Sequence, residues 1–151
     1  MDPHLNGPME LPYRLADTAD KLPEDGRMVV YIALAGIVGT LARYFLGGWV
    51  QQRSGLATFP VGTLAINLIG SLIIGLVIRL ATGSTLISSD ARAALTIGFC
   101  GAFTTMSTFS YESMKLLADG EYWYAGLYMG GTVIGCLAAV IAGTELANRL
   151  L

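Results

Sequence analysis

The sequence predicts an all-α membrane protein with four transmembrane helices, and three observations predict it. Hydrophobic residues make up 54% of the 151-residue chain and charged residues only 13%, against roughly a quarter charged in an ordinary soluble domain. Mean hydropathy is +0.59. Four stretches each hold about 20 nearly uncharged apolar residues, the length that crosses the hydrocarbon of a bilayer as a helix. A soluble bundle would need a polar stripe on every helix, and these stretches have none.

The chain opens on a polar segment, residues 1–27. It holds Asp2, Glu10, Asp17, Asp20, Glu24 and Asp25 against Arg14, Lys21 and Arg27. With Pro3, Pro8, Pro12 and Pro23 this composition predicts a mostly disordered tail, with a short interfacial helix over residues 11–22 as the alternative. The segment has neither the basic start nor the apolar core of a signal peptide. Residues 28–151 form the membrane domain. Its first apolar run, residues 28–50, carries only Arg43. The second, 59–78, is uncharged and bounded by Arg79. The third, 93–111, lies between Arg92 and Glu112. The fourth, 122–144, lies between Glu121 and Glu145 and opens on Tyr122, Trp123 and Tyr124, an interfacial aromatic belt. The connections are short, so neighbouring helices run antiparallel. Four crossings place both termini on one side. Lys/Arg residues favour that side only weakly once the tail is set aside, which permits insertion in both orientations.

Several function classes fall away at once. No basic patch offers a nucleic-acid surface. The single histidine, His4, and the cysteines Cys100 and Cys136, each inside an apolar run, make no transition-metal cluster. Signatures of nucleophilic, zinc or phosphate-loop enzymes are absent, so the chain is not expected to be an enzyme. No Asp or Glu falls within a span, whereas proton-coupled transport relies on a buried ionisable group.

Polar groups in hydrocarbon are costly and must pair or line something wet. Asn67 stands mid-helix with Thr63 one turn away on the same face. Its amide can donate to an anion that has shed water, or serve as an interhelical bond. Gly98-Phe99-Cys100-Gly101-Ala102-Phe103-Thr104-Thr105-Met106-Ser107-Thr108-Phe109-Ser110 is poor filling for a regular helix. It reads as a break in the third helix, whose freed carbonyls could bind a cation, or as a kinked, tightly packed helix. Tyr128 and Thr132, continued by Cys136, share one face of the fourth helix. Such a row can hand an anion along, or bond its own backbone. Glycine pairs such as Gly36/Gly39 and Gly126/Gly130/Gly131 allow close helix packing.

Gly36-Ile37-Val38-Gly39-Thr40-Leu41-Ala42-Arg43-Tyr44, Gly62-Thr63-Leu64-Ala65-Ile66-Asn67 with Gly70-Ser71, and the string from Gly98 to Ser110 resemble the Fluc family of fluoride channels, also called CrcB proteins. The resemblance covers about residues 28–148. It implies an antiparallel, dual-topology homodimer in the cell inner (plasma) membrane, passively exporting fluoride and giving fluoride resistance. It implies a structural sodium ion, Na+, at the dimer centre on the main-chain carbonyls of Gly101 and Thr104. The pathway it implies runs by Asn67, Phe109, Ser107, Thr108, Tyr128, Thr132 and Thr63. Arg43 either draws anions into a vestibule or snorkels to the interface. Met106 replaces a family phenylalanine whose electropositive ring edge would face the anion. The partners implied are fluoride, membrane lipid and a second copy of the chain. An alternative is a small multidrug resistance-like exporter, which would need a carboxylate in the first helix. Another is a non-transporting membrane scaffold, which has no need of the polar string.

Overall fold

The computed structural model describes residues 26–84 and 87–151, and among them every regular element is helical. The residue 11–22 helix and nearly all of the tail lie outside the described residues. Arg27, expected in the tail, opens helix α1 (Arg27–Ser54), which stops at Gly55, a left-handed residue with φ 66°. Helix α2 is Val61–Gly83 and helix α6 is Tyr122–Leu150. These three are long and apolar enough to cross a membrane. Each outruns its apolar run by several residues at its C-terminal end, because hydropathy marks the hydrocarbon depth while helix propensity carries on into water.

The third run is not one helix. It is divided among α3 (Ser89–Ala93), a π-helical turn (Ala94–Cys100), α4 (Gly101–Phe103) and α5 (Met106–Ala118). Thr104 (φ −82°, ψ 161°) and Thr105 (φ −150°, ψ 112°) are extended between α4 and α5. α2 packs along α6, and α1 packs on the π-helical turn, α4 and α2. A small core of Phe109, Leu116, Ala125 and Tyr128, flanked by Phe59, Leu64 and Met129, ties α5 to α6 and to the start of α2.

Outside that core the usual pattern is inverted. Tyr44 and Phe45 on α1, Ile134, Leu137 and Ile141 on α6, and Trp123 at the head of α6 are all exposed. So continuous an apolar exterior suits hydrocarbon and not water.

The α1–α2 turn is held by one side chain. Gln51 donates from Nε2 to the carbonyls of Leu56 (2.7 Å) and Phe59 (3.1 Å), and its Oε1 accepts from Gly62 N (2.9 Å). α2 has no side-chain cap of its own at Pro60, so Gln51 supplies it from the preceding helix. Gln51→Leu should lower stability by about 1–3 kcal/mol, since the acceptors and the donor lose their partner together. The thermal midpoint in detergent reads this directly.

Candidate functional site

The extended pair at Thr104–Thr105 is fixed by polar side chains. Asn67, buried on α2, accepts at Oδ1 from Thr105 N (2.9 Å) and donates from Nδ2 to Thr105 O (3.3 Å). The amide pairs with both backbone groups of one residue, as a neighbouring strand would. Of the two roles open to Asn67 in the sequence, the structure displays the interhelical bond, and one Nδ2 hydrogen remains beyond it. Thr105 Oγ1 in turn accepts from Thr108 N (3.2 Å), capping α5. It also donates to Thr108 Oγ1 (2.9 Å) and stands 3.3 Å from Ser107 Oγ. On the other side of the interruption, Thr104 N and Oγ1 both donate to Cys100 O, at 3.0 and 2.9 Å, and close α4.

The same interruption bears on the Gly101 and Thr104 carbonyls. In an unbroken helix Gly101 O would accept from Thr105 N, and Thr104 O from Thr108 N. Both donors are engaged elsewhere, the first by Asn67 Oδ1 and the second by Thr105 Oγ1. Two carbonyl oxygens, three residues apart, thereby lose their helical partners. Hard oxygen donors of this kind fit an alkali or alkaline-earth cation, not a soft metal.

Two spaces flank the interruption. One, of about 760 Å³, lies among α1, α2 and α5; Arg43, Thr63, Thr108, Glu112 and Lys115 line it. The other is a groove of about 910 Å³ bordered by Asn67, Gly101, Thr104, Met106, Phe109 and Thr132. Thr105 borders both. Met106 is 70% exposed on the groove, while Phe109 is buried with its ring 5.2 Å from that of Tyr128. Ser107 is exposed and reaches the site only through Thr105.

The first space is bordered by Glu112. Its Oε1 accepts from Thr63 Oγ1 (3.0 Å) and its Oε2 from the Tyr128 hydroxyl (2.7 Å). The sequence placed this carboxylate at the edge of a span; the structure turns it inward, against a wholly buried tyrosine. Arg43 and Lys115 face the same space with no ion pair shown among the described residues. Glu112 and Asp119 line it too, so two cations and two carboxylates balance there. Glu112 and Thr105 are the functional residues that sequence reasoning missed. Thr108 and Glu112 are four residues apart, so the row of polar groups on α5 was visible; that it turns toward α2 and α6 was not.

Thr132 has a distinct state. Ser110, Ser113 and Thr144 each return the hydroxyl hydrogen to the carbonyl four residues earlier. Thr132 does not: its Oγ1 is buried without a partner. A buried hydroxyl left unpaired costs about 1–3 kcal/mol.

A family model described as CrcB-like protein, Camphor Resistance (CrcB), matches residues 30–144. The chain is 49% identical over 122 residues to a protein of Geobacter sulfurreducens named fluoride-specific ion channel FluC, covering 81% of this chain and 98% of that one. It is 46% identical to a Geobacter metallireducens protein of the same name, over the same shares. A Chlorobaculum tepidum protein, also so named, is 46% identical over 120 residues, 80% of this chain and 94% of its own.

Proposed function

Because the chain belongs to the CrcB-like protein family, we propose that it is a fluoride-selective channel that lets the anion leave the cytoplasm passively and so confers fluoride resistance. It is a membrane protein of an ion-channel family and not an enzyme. The observation that carries the mechanism is the interruption held by Asn67, with a polar space on one side, a groove on the other, and Thr105 common to both.

Fluoride enters the space in front of Arg43 and Lys115. There the Thr108 hydroxyl replaces part of its water, and those of Thr63 and Tyr128 do so by exchanging Glu112 for the anion. It then passes the Asn67–Thr105 pair and the Phe109 ring to the unpartnered Thr132 hydroxyl. Met106 contributes an apolar, flexible thioether to the groove in place of a ring edge. The membrane potential drives efflux with about 2.3 kcal/mol per 100 mV for each charge. A multidrug exporter is disfavoured, since α1 carries no carboxylate. Glu112, the inward-facing acid on α5, is engaged by two hydroxyls.

The α3-to-α5 region is the fourth, broken transmembrane crossing in this reading. The apolar groove is covered by a second, antiparallel copy in the cell inner membrane. The Gly101 and Thr104 carbonyls of both copies would hold one sodium ion there. When bound, the ion supplies a fixed positive charge where the two copies meet.

The test is flux. Liposomes loaded with potassium fluoride and given valinomycin should release fluoride at a rate set by voltage, while chloride-loaded vesicles retain their anion. Met106→Phe should conduct at least as fast as the natural chain. No efflux from either protein would overturn the channel reading.

A further inference from the structure

We propose that Thr105 and Asn67 are positioning residues for the cation site: they bind the two backbone N–H groups that would otherwise satisfy the Gly101 and Thr104 carbonyls. This rests on the sodium reading above. It adds the reason why those two oxygens are available to a cation.

The chain of causes is short. An α-helix continued from α4 into α5 would join Thr105 N–H to Gly101 O and Thr108 N–H to Thr104 O. Asn67 Oδ1 holds the first donor at 2.9 Å. Thr105 Oγ1 holds the second at 3.2 Å. The Asn67 amide also binds Thr105 O at 3.3 Å, which keeps Thr105 extended and its hydroxyl under the first turn of α5. Asn67 and Thr105 are themselves buried, so water does not compete for these donors. Removing the Thr105 hydroxyl leaves Thr108 N–H without its partner and so favours closing the interruption, which would make Thr104 O its acceptor. The carbonyl then meets a peptide N–H and not a cation. Groups that orient metal ligands without touching the metal change affinity by roughly 10–100-fold.

The experiment measures sodium retained by the full-length protein after exchange into N-methylglucamine buffer, by atomic emission. Fluoride efflux is followed on the same preparations. The natural chain and Thr105→Ser, which keeps the hydroxyl, should retain one sodium for every two chains. Thr105→Val should retain sodium roughly 10–100-fold more weakly. Thr105→Ala, which removes the hydroxyl without adding bulk, takes its place if the valine variant does not fold. Gln51→Leu serves as the control for general destabilisation: it should melt earlier yet keep its sodium. Natural-level sodium in a folded Thr105→Val or Thr105→Ala protein would overturn the proposal. So would sodium loss from Thr105→Ser. Absence of sodium from the natural chain that still conducts fluoride would overturn the cation site itself while leaving the channel standing.

Discussion

Asn67→Leu should abolish fluoride efflux and cost about 2–6 kcal/mol of stability, the sum of leaving two buried backbone groups without partners. Leucine matches the amide in size, so the change is one of chemistry and not of volume. Thr105 N and Thr105 O both lose the amide that holds them. Either the extended pair collapses toward continuous helix, or the two groups stay unsatisfied at a site that is 8% exposed at Thr105 and 7% at Asn67. Both outcomes disturb the boundary shared by the two spaces, so flux falls with stability. Denaturation in detergent alongside electrode-monitored efflux measures the two effects separately. A variant as stable as the natural chain but silent would assign Asn67 to the anion alone and remove its structural role.

Gly143→Val is expected to be the most disruptive change on the lipid-facing helices. A Cβ at Gly143 would overlap the Leu72 carbonyl of α2, and one at Gly75 would overlap the Val140 carbonyl of α6. The two glycines let α2 and α6 touch backbone to backbone. Overpacking costs about 1–3 kcal/mol where side chains can rotate aside, and here the obstacle is main chain, so the loss should reach or pass the upper end. The monodisperse fraction on size exclusion and the thermal midpoint should both fall. Gly130→Val is the contrast, because a Cβ there meets no atom of the chain within 4 Å. It should change stability by no more than about 0.5 kcal/mol, and a collapse equal to that of Gly143→Val would contradict the assignment of the tight seam to Gly75 and Gly143.

The contrast between these glycines shows where the sequence stopped informing. Gly126, Gly130 and Gly131 stand out as a small-residue cluster, yet a Cβ on any of them meets open space. The seam belongs to Gly75 and Gly143, which no spacing marks. Membrane helices lack the hydrophobic stripe that tells a soluble helix which face is inward, so facing has to come from the packed structure. Glu112 makes the same point for charge. By position it reads as the polar end of a span; the Thr63 and Tyr128 hydroxyls that make it a central acceptor sit 49 and 16 residues away in sequence.

What the sequence determined by itself was composition-borne and local. Uncharged runs long enough for a bilayer require helices, since hydrocarbon leaves backbone groups no other partner. The glycines and hydroxyls around residues 98–110 mark the run that is poor filling for a regular helix. The family string names the class of ion. Only the tertiary structure decided how that irregularity is held, because the bonds that hold it join Asn67 to a residue 38 positions later. It also decided which carbonyls lose their donors and which hydroxyl is left without a partner. Burial sets the worth of each of these bonds, and burial is created when α2, α5 and α6 close on one another.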